Sequence, residues 1–405
     1  SRPDCQYTQM GFAQLRALSN GRCAPFDRAA DGLVVGEGAG VFVLKRLGDA
    51  LKHGDQIHAL VAGVGLSNDM HGNLLAPAKE GQLRAMRAAY ERAGWQPHDV
   101  GLIECHATGT PVGDAVEFDS LRELWGAGGW QPGRCVIGSV KSTVGHLLTG
   151  AGAAALTKVL LALRHEQLPP QANFATPADA LKYANGPFRV LREPERWTRK
   201  SALDPRRAAV SGFGFGGVNA HLLVEEWTGV PPKPASGKSP RLVAVNDPRA
   251  ESPKPAPRVE PVAVVGVGAR VGPWLSARAL QEHLLKGEGA DPAPKANGWG
   301  LASAPCPPGF LIDELRVPTD RFRIPPKELE ETLPQQLVML QVAADALDDV
   351  TRGRPSANGA GDERTGVFVG LGLDPPEVDQ LGQPLGHMTN LKRVQRRIRV
   401  PVVLT

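Results

Sequence analysis

A layered α/β fold is what this chain predicts, and three observations carry it. Short apolar runs rich in β-branched residues, Gly101 to Cys105 and Cys135 to Val140, are bounded by polar, glycine-containing loops, as buried strands are. Helical apolar spacing alternates with them: Glu80 to Ala93 places Leu83, Met86 and Tyr90 on one face with Gly94 as the C-cap, and Gly150 to Leu163 is Ala-rich and apolar all round. Both strands end in titratable side chains, His106 after the first, Lys141 and His146 after the second. Ligands of open α/β sheets bind in the crevice outside the strand ends, so these two loops are the candidates for chemistry.

Taken in order, residues 1 to about 28 read as a helix and a loop, with Gly21 and Pro25 as breakers. Gly32 to Leu44 is strand material threaded with glycines; no helix start follows, so close backbone approach explains them better than a phosphate loop. Lys45 to His53 reads as a short polar helix and Ile57 to Leu66 as a strand. Asp114 to Leu121 begins a helix with acidic residues in its first turn, as the helix dipole favours. This helix and the one from Gly150 start beside the two loops and offer free N–H groups to the crevice.

The stretch Ala208 to Glu226 holds Gly212, Gly214 and Gly217 in G-x-G-x-x-G spacing. A dinucleotide site needs a helix there, but Ala220 to Val224 alternates as a strand does. Two strands joined by a glycine-rich loop presenting Phe213 and Phe215 is the consistent reading. Residues 229–259 turn to Pro, Lys, Ser and Ala without periodicity, a linker. A second unit, 260–405, opens with a strand from Pro261 to Arg270 running into glycines. It continues with an amphipathic helix, Pro334 to Leu347, and a buried strand, Arg364 to Gly370. Beyond Leu373 the pattern is lost.

Composition bounds the function. At 405 residues and 42% hydrophobic, two packed units are expected. The formal charge is only +4, and the basic cluster at Lys392, Arg393, Arg396, Arg397 and Arg399 lacks an aromatic platform, so a solvated tail is expected and nucleic acid is not. Cys5, Cys23, Cys105, Cys135 and Cys306 form no C-x-x-C pair, which argues against zinc or a disulfide scaffold and fits a reducing cytoplasm. No run approaches the roughly 18 apolar residues of a membrane span, and no signal segment opens the chain. The start at Ser1, directly in an amphipathic segment around Met10, Phe12, Leu15 and Leu18, suggests a piece of something longer.

Two neutral imidazoles can each donate an N–H to a developing oxyanion, a pair suited to a thioester enolate. Thr108 and Thr110 add hydroxyls that could hold an amide-bearing arm. Lys141 is costly to bury alone and calls for a carboxylate; Glu117, on the same helix face as Asp114, is the candidate.

His106 to Asp114, Gly138 to His146 and Gly212 to His221 resemble the three C-terminal signatures of β-ketoacyl synthases, the condensing domains of fatty-acid and polyketide synthases. The resemblance covers about residues 1–228 and implies a thiolase-like layered α-β-α-β-α fold, incomplete at both ends. It implies that His106 and His146 bind the malonyl thioester oxygen, promote decarboxylation and stabilise the enolate, and that Lys141 pairs with Glu117. It further implies that Phe213 and Phe215, with Gly212 and Gly214, gate the acyl pocket, and that Thr108 and Thr110 contact the phosphopantetheine arm of an acyl carrier protein. No covalently bound cofactor and no metal are implied; the partners are acyl and malonyl thioesters and a second protomer, in a homodimer or a synthase/chain-length-factor pair.

The second unit resembles the start of the same family at Pro261 to Gly268, Asp320 to Pro326, Leu333 to Gln336 and Thr365 to Gly370, departing at Leu333 where Asp is usual. The family's nucleophile, a cysteine in an elbow such as T-A-C-S-S, is not matched: Arg2 to Thr8 around Cys5 is not that elbow, Cys23 sits in a loop, and Cys105 points away from His106 across a strand. The chain therefore reads as the end of one condensing domain and the beginning of another. The parent is expected to be an acyltransferase making 3-oxoacyl thioesters, this piece inactive in condensation. The competing class is a non-catalytic acyl-binding or dimerisation scaffold of the chain-length-factor kind.

Overall fold

The computed structural model describes residues 6–70, 77–181, 185–199, 201, 204–232, 260–289, 291–292, 308–322, 324–332, 334–351, 366–369 and 402–404. Most of the linker and the basic cluster at 392–399 lie outside them, as do Cys5, Cys306 and Leu333.

The strands are β1 (Gly38–Arg46), β2 (Ala59–Asn68), β3 (Leu102–Glu104), β4 (Cys135–Gly138), β5 (Gln167–Leu168), β6 (Phe188–Arg189), β7 (Glu195–Arg196), β8 (Arg207–Gly214), β9 (Val218–Glu226), β10 (Val262–Val271), β11 (Leu315–Val317) and β12 (Val402–Leu404). The helices are α1 (Gln6–Gln14), α2 (Leu47–His53), α3 (Lys79–Ala93), α4 (Pro111–Trp125), α5 (Lys141–Val144), α6 (Ala151–His165), α7 (Ala277–Lys286), α8 (Pro326–Glu331) and α9 (Pro334–Thr351).

Eight strands form one sheet in the order β1-β10-β2-β9-β8-β3-β4-β6. The β8-β3-β4-β6 side is parallel, the β1-β10-β2-β9-β8 side antiparallel. Parallel strands need both faces covered, and β3 and β4 are buried throughout. Side chains alternate accordingly: Leu102, Val136, Val210 and Val224 join the core under α6, while Ile103, Ile137, Ala209 and Leu223 join the core with Met86 and Tyr90 of α3 and Phe118 of α4. Helices thus lie on both faces of one sheet, an α-β-α sandwich that supplies three of the five expected layers.

Two expectations need correction. Phe213 is not in a loop: β8 continues through Gly214, Phe213 is buried, and only Phe215 stands in the turn, which Gly216 and Gly217 close with positive φ. The buried strand expected at 364–370 is not seen over its described part either: residues 366–369 have no regular structure, Phe368 is 97% exposed, and no described strand pairs with them. The glycines of β2 do what close approach requires. A Cβ on Gly65 would overlap the carbonyl oxygen of Ala85 in α3, and one on Gly63 that of Ala89.

Gly65→Ala is expected to push α3 off the sheet at a cost of about 1–3 kcal/mol, the usual penalty of overpacking. The check is the shift of the urea unfolding midpoint against the unsubstituted chain.

Candidate active site

The first loop begins where β3 runs out of ladder. Cys105 makes the last strand-like bond, N–H to the Gly138 carbonyl at 2.8 Å. The next four N–H groups have no strand to meet. Instead Glu117 accepts from His106 and Ala107, both at 2.8 Å, and Asp114 accepts from Thr108 at 3.0 Å and Gly109 at 3.2 Å. Both carboxylates project from α4 and are buried. Asp114 also accepts the N–H of Phe26 at 2.9 Å. Gly109 has φ +80°, and a Cβ there would lie 2.8 Å from the Gly32 oxygen; the turn admits only glycine.

The second loop is a single turn, α5, stapled to the first. Ser139 donates its hydroxyl to the Ala107 carbonyl at 2.7 Å, and its N–H goes to Gln171 at 2.8 Å. The Val140 N–H bonds Glu104, whose carboxylate pairs with Lys158 of α6 at 2.9 Å, both side chains buried. His146 is held by its backbone, donating to Val34 at 2.7 Å and accepting from Gly36 at 3.0 Å.

This framework sets the two imidazoles side by side, centroids 5.5 Å apart and planes at 78°. Both histidines are half-buried. The Phe213 N–H donates to Nδ1 of His106 at 3.2 Å, and the Leu148 N–H to Nδ1 of His146 at 2.9 Å. Nδ1 is therefore the acceptor in both, and Nε2 carries the proton. Burial, with the Lys141 charge second, holds His106 well below the ordinary histidine range and His146 down to about 3. The pair is neutral near pH 7 and presents two N–H donors, what a developing oxyanion requires.

Lys141 is buried at the start of α5. Burial lowers its pKa, opposed most by Glu104 and then by Glu117. The expected salt bridge with Glu117 does not form: no ion pair within 4.0 Å joins them, because Glu117 gives one oxygen to each of two backbone N–H groups. Thr108 and Thr110 come together with hydroxyl oxygens 2.9 Å apart. The Phe213 ring lies 5.8 Å from His106, whereas Phe215 is turned outward, 6.0 Å from Phe12 of α1. Gly212 and Gly214 lie in β8 beside them.

The buried pair Glu104 and Lys158, Gln171, and Asn173, which donates to the Cys23 and Ser142 carbonyls, escaped the sequence reading. For the ion pair a signal existed, since both charges interrupt segments that must be buried. The three described cysteines are no nucleophiles: burial pushes Cys23 up to about 12 and raises Cys105 and Cys135 as well. No described helix is long and apolar enough to cross a membrane.

Comparison with known proteins gives the family. The β-ketoacyl synthase C-terminal domain matches residues 58–175, the ketoacyl-synthetase C-terminal extension 177–255, and the β-ketoacyl synthase N-terminal domain two separate stretches, 4–50 and 259–402. The chain belongs to the β-ketoacyl synthase family, with a C-terminal domain placed ahead of N-terminal-domain sequence. One component of the phenolphthiocerol/phthiocerol polyketide synthase of Mycobacterium tuberculosis is 43% identical over 234 residues, 57% of this chain and 12% of the relative. Polyketide synthase PksL of Bacillus subtilis is 40% identical over 220 residues, 54% of this chain and 5% of its own length. Among solved structures, the ketosynthase from module 6 of the bacillaene synthase of Bacillus subtilis 168 is similar with a TM-score of 0.53 and 38% identity, over 55% of this chain and 40% of that one. The chain thus spans a small part of the curated relatives it matches.

Two outcomes follow from the geometry. Glu104→Gln leaves the Lys158 ammonium buried without its counter-charge and is expected to cost about 3–5 kcal/mol, with the double change Glu104→Gln and Lys158→Met recovering most of it; denaturant titration reads both. In imidazole nitrogen NMR, His106 and His146 should remain neutral Nε2–H tautomers throughout about pH 5–8. The sign for stability is fixed by the direction of the shifts. Histidines held low in the folded state, His221 at about 3 among them, bind more protons when unfolded, so their contribution is present above the unfolded value near 6.5 and fades as pH falls toward 3. Asp114 and Glu117, raised to about 6 and about 7, act with the opposite slope between about pH 4 and 7.

Proposed function

We propose that residues 1–228 carry the oxyanion-binding and decarboxylating part of a 3-oxoacyl synthase site, with 229–259 as linker and 260–405 as the beginning of a second ketosynthase sequence. The observation that carries this reading is the pair of adjacent, neutral histidines with both Nδ1 atoms occupied by backbone N–H donors. A malonyl thioester with its carbonyl oxygen at the two Nε2–H groups loses its carboxylate as CO₂. The electron pair of the broken C–C bond moves into the thioester as an enolate, whose oxygen the two donors stabilise. In the parent synthase that enolate carbon attacks the carbonyl of an acyl thioester held on a cysteine, forming the new C–C bond as the C–S bond breaks and the cysteine leaves as thiolate, which completes a decarboxylative Claisen condensation. Burial keeps the imidazoles uncharged, and the field of Lys141 adds to it.

The substrate arm is the phosphopantetheine of an acyl carrier protein, with Thr108 and Thr110 as its hydroxyl partners and Phe213 and Phe215 bordering the acyl path. Similarity to polyketide synthases supports fatty-acyl or polyketide thioesters as the substrate class. The family resemblance implies a cytoplasmic, paired assembly, whether homodimer or synthase/chain-length-factor pair. A second reading, a non-catalytic scaffold of the chain-length-factor kind, is favoured by one observation: every described cysteine is a buried thiol.

With malonyl-N-acetylcysteamine as probe, the full chain is expected to release CO₂, and His106→Ala or His146→Ala to slow release by about 100-fold or more, the usual effect of deleting an oxyanion donor. No cysteine should be acylated, as followed by intact mass. Absence of CO₂ release from the unsubstituted chain would select the scaffold reading.

A further inference from the structure

We infer that the cleft at the start of β3 and β8 is an oxyanion site, separate from the histidine crevice, and that it takes phosphate, as the inorganic dianion or as a phosphomonoester. The cleft measures about 260 Å³. It lies between Gly101, just ahead of β3, Arg206 and Arg207 where β8 starts, and the segment from Glu195 to Arg199. His106 follows the other end of β3, so a group filling this cleft does not meet the imidazole pair. Sites for drug-sized molecules run to roughly 300–1,000 Å³, so this one suits a single small group.

Charge in its walls is only partly matched. Six described arginines line it. Four already hold carboxylates: Arg189 donates to both oxygens of Glu195 at 2.6 Å, Arg199 and Arg206 share Glu226, and Arg207 pairs with Glu225 at 2.8 Å. The other two, Arg134 and Arg196, have neither an ion-pair partner nor a hydrogen-bond acceptor among the described residues. The remaining acids are engaged as well, Asp99 by the Gln96 N–H and Asp204 by the Ser201 hydroxyl, both at 2.9 Å.

A third donor stands in the floor. Trp197 is 5% exposed, yet its indole N–H has no acceptor among the described residues. It shares one space with Arg134: a Cβ on Gly101 would lie 3.0 Å from Trp197 Nε1 and 3.6 Å from Arg134 Nη1. By having no side chain, Gly101 leaves both donors within reach of one ligand. An indole N–H beside a guanidinium fork selects an acceptor, and the planar fork matches two oxygens of a phosphoryl group. Arg196 stands exposed at the rim and brings the unmatched cations to two. A dianion neutralises both; a carboxylate would leave one.

The full chain, with its tryptophan indoles isotope-labelled for NMR, tests this. Seven tryptophans give seven indole signals, and Trp197→Phe identifies the one from Trp197. Inorganic phosphate, raised to about 50 mM with chloride holding the ionic strength and hence the screening constant, should move that signal along a saturating curve. Arg134→Gln should weaken the response by about tenfold or more, the effect of losing a charge-assisted hydrogen bond. Should that variant not fold, as judged from the other six indole signals, Arg196→Gln reads the same charge. Glycerol 3-phosphate as a second probe separates the sources: tighter binding than phosphate assigns the site to a phosphomonoester, weaker binding to the free anion. No movement of the Trp197 signal with either probe would overturn the proposal. So would a shift that grows linearly without saturating, an equal response to acetate, or a response unaltered by Arg134→Gln in a folded chain.

Discussion

The loop that follows β3 can exist only because two carboxylates take over from the sheet. Four successive N–H groups, of His106, Ala107, Thr108 and Gly109, leave the ladder inside the protein, and an unpaired buried N–H is costly. Glu117 and Asp114 accept all four, and Asp114 a fifth from Phe26. Burying two carboxylates is itself unfavourable, which is why both are pushed up, but the donors and the field of Lys141 oppose that. Spaced three residues apart, they lie on one face of α4. The helix thus dictates the path of the loop, and the loop dictates where the His106 ring stands.

Lys141 acquires a different meaning once Glu117 is committed to the backbone. A lysine in a salt bridge would be electrostatically silent toward its neighbours; this one is not paired that way, and its charge is the second cause of depression at both histidines. An imidazolium pair beside an ammonium would place three like charges in a desolvated crevice, so the histidines stay neutral. Neutrality alone leaves the tautomer open. The N–H groups of Phe213 and Leu148 settle it by occupying Nδ1, one coming from β8 and the other from the turn after α5. Phe213 therefore acts through its backbone, which explains why it is buried in a strand while Phe215, two residues on, is exposed.

Much of this was legible beforehand because its determinants are local. Glycine at the end of α3, an acidic residue in the first turn of α4 and the two strands ending in histidine-bearing loops are patterns of a few residues, and the elements form there, although α4 begins at Pro111, three residues before the expected Asp114. What could not be read was set by distance along the chain. The partner of Lys158 lies more than fifty positions away, at Glu104; the donor to His106 comes from Phe213. The reading of Arg364 to Gly370 as a buried strand failed over its described residues, 366–369, for a related reason. An apolar, β-branched run specifies a strand only if a neighbour is there to pair with it, and among the described residues none is.

The same dependence on neighbours explains how a strand from late in the chain can sit beside one from the start. β2 and β10 are built alike: Gly63 and Gly65 lie under the carbonyls of Ala89 and Ala85, and Gly266 and Gly268 under those of Ala346 and Val342. In each case two glycines two residues apart meet two carbonyls four residues apart on a helix. Two strand residues advance roughly 6.7 Å and four helical residues about 6 Å, so the two spacings nearly match when helix and strand run antiparallel. Each strand thereby admits a helix at contact distance along a full turn, which any side chain at those positions would prevent. A sheet position is specified by such a seat and by a register of backbone bonds, and neither contains information about the order in which the chain supplied its strands.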